Sequence, residues 1–166
     1  MALKQTSEII TIGFSVSETA ANTFTQASVD LQLNPLDQEV FVVSAIDLDP
    51  TAPDCITNTN TQIAMSLSTT SRTSFGNLND DNVLANAVYD IRADATNHVA
   101  LMRTSLDSPP ATVPYIGIIS TNDFFVQLVG TNNAGAKDGF GRVWGYRAKA
   151  DAATYAALVQ SQVLSS

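Results

Sequence analysis

From Ile10 onward the chain alternates. Ile10, Ile12, Phe14 and Val16 share one parity while Thr11, Gly13 and Ser15 take the other, the two-residue period of a strand with one face buried. The same period returns in TFTQASVDLQL, with Ala27, Val29, Leu31 and Leu33 opposite Gln26, Ser28, Asp30 and Gln32, and in TQIAMSLST, with Ile63, Met65 and Leu67 on one side. Two runs, EVFVVSAIDL and VPYIGIIS, are almost continuously apolar, as strands covered on both faces are. HVALMRTSL, DFFVQLVG and GRVWGYRAKA complete the set. Strands are therefore expected over 8–17, 23–33, 38–48, 61–69, 98–106, 113–120, 123–130 and 141–150. The separators ETAANT, NPLDQ, DPTAPDCITNTN, DSPPAT, STND and GTNNAGAKDGFG are rich in Gly, Pro, Asn and Asp, which adopt turn dihedrals at low cost. Short strands at this spacing predict an all-β sandwich or barrel.

Two segments change period. In NDDNVLANAVYDI, Val83, Leu84, Ala87, Val88 and Ile91 recur at helical spacing behind Asn79, Asp80 or Asp81 as a cap, which predicts a short helical insert; a strand through AVYDIRA is the competing reading. The tail DAATYAALVQSQVL is alanine-rich, Asp151 is placed to cap it, and Tyr155, Leu158, Val159 and Gln162 line one side. It predicts a terminal helix against the edge of the sandwich.

Bulk composition narrows the classes. A chain of 166 residues suits one domain, 1–166, with a core of ordinary size. A formal charge of −8, with 14% charged residues, leaves a weakly charged surface with an acidic excess that repels nucleic acid and anionic membrane. No run approaches the roughly 20 apolar residues of a membrane-spanning helix, and MALKQTSEII lacks the apolar core of a signal peptide. No Asn begins an N-x-[ST] sequon.

Candidate chemistry is sparse. Gly130 to Gly135 have the glycine spacing of a phosphate loop, but Ala136 puts Lys137 out of register and Asp138 stands where a hydroxyl should meet magnesium. A strand follows where the mechanism needs a helix N-terminus. The segment is expected to turn a corner as a mobile connection, dispensable over Ala134 to Asp138, with Gly130, Gly135, Gly139 and Gly141 supplying positive φ. His98 is the only histidine, which excludes a multi-imidazole iron or zinc centre within one chain. No G-x-S-x-G context accompanies any serine for a Ser-His-Asp arrangement. Cys55, the single cysteine, has no cation beside it in sequence and reads as an inert thiol. Asp47, Asp49 and Asp54 are a thin set for calcium, and solvation of strand ends explains them better. Tyr115, Phe124, Phe125, Phe140, Trp144 and Tyr146 gather in the last third, where sugar binding competes with plain burial. No catalytic, cofactor-binding or metal-binding residue is assigned, and no enzyme activity is expected.

Eight strands ending in a helix suit a jelly roll of two facing sheets. With the C-terminal run NDFFVQLVGTNN…GRVWGYRAKADAATYAALV, in which two strands carry a long loop and a helix follows, the chain resembles the single jelly-roll major capsid proteins of tailless icosahedral viruses. The resemblance is architectural and transfers no site residues. It implies a structural virion protein, made in the host cytoplasm, that associates with copies of itself to form an icosahedral shell. MALKQTSE is neither long nor basic, so direct genome binding is not expected. That favours the branch in which upright jelly rolls meet an inner membrane or minor capsid proteins, often with a second coat protein. The competing readings are a sugar- or receptor-binding sandwich using loops around Asn58 to Asn60 and Asn132 to Asp138, and a cupin-like enzyme, which the histidine count disfavours.

Overall fold

The alternating segments pair as two curled antiparallel sheets. The structure, a computed structural model, describes residues 3–164. Among these the chain forms ten strands: β1 (Leu3–Gln5), β2 (Ile10–Ser17), β3 (Thr25–Asp30), β4 (Glu39–Pro50), β5 (Thr61–Ser68), β6 (Val83–Ala93), β7 (His98–Thr104), β8 (Gly117–Ile119), β9 (Asp123–Thr131) and β10 (Asp138–Ala150). One helix, α1 (Ala152–Leu164), follows. The first sheet runs β1-β10-β4-β8, with β2 also on β10; the second runs β3-β9-β5-β6-β7. Four of the pairings are nested: β2 with β10, β3 with β9, β4 with β8 and β5 with β6, as though one long hairpin had been rolled up.

The parity read from the sequence decides what faces inward. Val16, Phe41, Val43, Ile46 and Val143 from the first sheet meet Ile63, Met65, Leu67, Phe124, Val126 and Leu128 from the second in one core. Phe14 and Phe124 meet edge to face across it, ring centroids 5.6 Å apart. The continuous apolar run of β4 is explained by a second cluster on the outer face. There Val40, Val42, Ala148 and Ala150 lie under Tyr115, Tyr146, Tyr155 and Leu158. The terminal helix thus covers a sheet face rather than an edge. Asp151 caps it as expected, its Oδ1 accepting from the Thr154 N–H at 2.7 Å, and that bond holds the Asp151 carboxyl below the usual range. Gln162, buried, pins the far end: Oε1 accepts from the Ser120 N–H, the Ser120 hydroxyl and the Thr121 N–H, while Nε2 donates to Ile118 O.

The expected helical insert is a strand. Val83–Ala93 pairs along β5 without helix, and the competing reading through AVYDIRA is the correct one. Ala85 and Ala87 face the core, while Val88 and Asp90 on the opposite face are buried too, so the pattern loses its two-residue period and mimics a helix. The segment 69–82 folds over this outer face. Arg72 bonds Asn82 and Asp80, its N–H donates to Gln26 Oε1, and the Gly76 N–H reaches Ser66 Oγ. Beneath it Gln127, buried in β9, donates to Ser68 Oγ and Gln26 Oε1 and accepts from Ser66. β6 therefore lies beside β5, and His98–Thr104, within the expected strand 98–106, is the outer strand of this sheet beyond it. Two further differences are smaller. Only Gly117–Ile119 of the expected 113–120 pairs, and β1 has no counterpart in the sequence reading.

Candidate functional site

The loop after β9 is the first place where chemistry is testable, because its glycine spacing resembles a phosphate grip. Its backbone N–H groups are already occupied by carboxylates of the chain itself. Buried Glu18 accepts from the Gly130 N–H at 2.6 Å and from the Lys137 N–H at 2.9 Å. Asp54 accepts from the Ala134 N–H at 2.8 Å and from Lys137 Nζ at 2.6 Å. The Lys137 ammonium, then the Ala134 N–H, hold the Asp54 carboxyl below its ordinary range. Asn133, also buried, donates from its backbone to Asn22 Oδ1 and from Nδ2 to Gln62 O, and accepts the Asp54 N–H on Oδ1. A phosphate would have to displace two built-in anions, so the loop turns a corner.

It is also a different corner from the one expected. The loop is stitched to the β2–β3 connection, the β4–β5 connection and β5, which argues against a mobile segment dispensable over Ala134 to Asp138. No described glycine has positive φ; the left-handed positions are Asn22, Gln32, Gln38, Asn58 and Asn132. What glycine supplies here is room. A Cβ on Gly139 would stand 2.8 Å from Met65 Sδ, and one on Gly141 would strike the Phe14 ring.

The remaining candidates are dispersed. Asp47 and Asp49 are exposed on the outer side of β4, while Asp54 is engaged by Lys137; among the described residues no group of His, Cys, Asp and Glu is placed to hold a metal ion. His98 opens β7 in solvent, and the nearby Asp94 carboxylate is taken up by the N–H groups of Thr96 and Asn97, which lower its pKa. Cys55 is exposed and unpaired. The aromatic residues divide: Phe124 is core, Tyr115 and Tyr146 pack near α1, Trp144 carries Arg142 at 5.7 Å from its ring centroid, and Phe140 is exposed. The loops at Asn58 to Asn60 and Asn132 to Asp138 do meet, through Asn132 Nδ2 and Asn60 O at 3.0 Å.

The feature that sequence reasoning did not foresee is a surface. All seven residues of β7 are exposed, and Val99, Leu101 and Met102 are each about half accessible. Leu78, Leu106 and Val113 add a second exposed apolar group beside Pro109 and Pro110. The signal was present in HVALMRT, whose apolar residues occupy both parities. Both faces of the strand are exposed. No helix among the described residues is long and apolar enough to cross a membrane. No protein-family model matches the chain, and no curated protein matches it.

Proposed function

We propose that the chain is a jelly-roll shell subunit whose work is repeated association with copies of itself, forming the capsid of an icosahedral particle alongside a second coat protein or an inner layer. The observation that carries this reading is the nested pairing. Leaving β1 and β7 aside, eight strands interleave as β2-β10-β4-β8 against β3-β9-β5-β6, the order obtained by rolling one hairpin into two facing sheets.

Support also comes from what the sandwich leaves outside. Exposed Val99, Leu101 and Met102 share β7, and exposed Leu78, Leu106 and Val113 lie together beside Pro109 and Pro110, groups of the kind that mark association surfaces. A surface with few charges buries against neighbours without large desolvation costs.

Electron microscopy and light scattering over a concentration series test the proposal. Rings, sheets or closed shells are the expected products. A monomer at every concentration that instead binds glycans, through the exposed Phe140 face or the Asn-rich loops, replaces it with the sugar-binding alternative.

A further inference from the structure

The register of β6 and β7 fixes which backbone groups of β7 are free. Ser105 N–H donates to Asn86 O at one end of the ladder, and Asp94 N–H donates to Asn97 O at the other. Antiparallel strands alternate hydrogen-bonded and non-bonded pairs. With the unbroken register Ala87↔Thr104 to Ala93↔His98 between these ends, the bonded residues of β7 are therefore Val99, Leu101 and Arg103. His98, Ala100, Met102 and Thr104 turn their N–H and C=O groups outward, to an edge that pairs with no described strand.

Proteins blunt such edges with proline, lysine, bulges or brevity. The other borders of this molecule are short, divided or lined by polar side chains. β8 has three residues, β1 and β2 divide one border between them, and β3 turns Ser28 and Asp30 to solvent. β7 has seven residues, no proline, no glycine, no register shift and one formal charge, Arg103.

We propose that β7 pairs antiparallel with β7 of a second copy about a two-fold axis through Leu101, joining two five-stranded sheets into one. In this register His98 lies opposite Thr104 of the second copy and Ala100 opposite Met102, so every outward-turned residue enters a bonded pair. Leu101 meets Leu101, and Arg103 meets Val99. No like charges face each other, whereas an axis on Arg103 would set two guanidinium groups together. The half-accessible Val99, Leu101 and Met102 gain cross-strand cover. A seven-residue ladder is smaller than the roughly 1,600 Å² of a standard interface, so the contact is weak alone and effective when repeated. This inference rests on the reading of the chain as a self-associating subunit, and the test separates the two.

Cysteine trapping suits a weak contact. At a non-bonded pair the Cα atoms lie about 4.5 Å apart, within disulfide reach. In a Cys55→Ser background, Leu101→Cys is expected to oxidise to a covalent dimer. Val99→Cys is the matched control, since both positions are 51% accessible. Its own symmetry copy is four residues out of register, about 14 Å away, and dimer yield should be at least fivefold lower. Adding Ala100→Pro to the Leu101→Cys protein removes only an outward N–H, which an edge strand tolerates. Circular dichroism should be unchanged while cross-linking falls severalfold. Equal yields at 99 and 101, or none at 101, overturn the contact; an unlike chain on this edge gives the second result. Particles without a Leu101 cross-link refute this contact and spare the shell. A Leu101 dimer with nothing larger at any concentration supports the contact and refutes the shell.

Discussion

Glycine and asparagine exchange their customary roles in this chain, and substitutions expose the exchange. Gly145 sits beside the register shift between β10 and β4, where a Cβ would meet Val42 O and stand 2.8 Å from Phe41 Cζ. Gly145→Ala is expected to destabilise by about 1–3 kcal/mol, the cost of forcing volume into a packed core. Gly135, in the loop that looked glycine-dependent, has nothing within 4 Å of the added atom and no positive φ. Gly135→Ala should be neutral or gain up to about 1 kcal/mol by restricting the unfolded chain. Urea denaturation distinguishes the two. Asp54 gives a second test. Its folded pKa is lowered by Lys137 and the Ala134 N–H, so its contribution is fully present above the unfolded value of 3.8 and is lost as pH falls through the depressed folded value. The urea midpoint of the native protein should therefore fall below about pH 4, and more steeply than that of Asp54→Asn. A residual slope in the variant is expected, because Asp94 and Asp151 are lowered as well.

Among the elements, legibility followed how many faces each strand buries and what buries them. Strands with one buried face, such as β2 and β3, kept their alternation and were read within a few residues of their bounds. β6 was misread because both its faces are buried, with Val88 and Asp90 as inaccessible as Ala85 and Ala87, while the irregular segment 69–82, which has no hydrophobic period, reaches the same outer face at Ser66 and Asn86. β1, with three residues, is too short to show a period. The corner between β9 and β10 was legible as a turn. Its stitching was not, since Glu18 and Asp54 are remote in sequence and come to the loop only through the fold. α1 was legible through its cap and alanines, yet its seat depends on one polar side chain. Gln162→Ala removes the shared acceptor of the Ser120 N–H, the Ser120 hydroxyl and the Thr121 N–H in a buried setting. Unmet buried donors cost about 1–3 kcal/mol each, with relaxation recovering part. A loss of about 2–3 kcal/mol in urea is expected, together with faster amide exchange at Ser120 and Thr121. Unchanged protection there would mean that the helix is held by Tyr155 and Leu158 alone.

The whole molecule carries 16 acidic and 8 basic side chains, and that imbalance gives the proposed assembly a sign in salt. Copies at net −8 repel one another at long range, and the repulsion is screened within about 8 Å at physiological ionic strength. The contacts argued above are backbone ladders and apolar side chains, which salt barely weakens. Self-association should therefore strengthen as sodium chloride rises from about 20 to 300 mM, across the range in which the Debye length contracts. A coat protein held together by neutralising a genome behaves oppositely, because phosphate contacts weaken steeply with salt. Lowering the pH toward the isoelectric point of about 4.3 reduces net charge and should act in the same direction as salt. Asp54, which stitches the β9–β10 corner, sets the lower bound of that window, since its lowered pKa lies below the isoelectric point and its protonation loosens the corner. Assembly should pass through a maximum between neutral pH and the acid transition, measured by light scattering at fixed protein concentration. Assembly that weakens monotonically with added salt would mean that ion pairs or a bound polyanion hold the copies together, which the surface described here does not provide for.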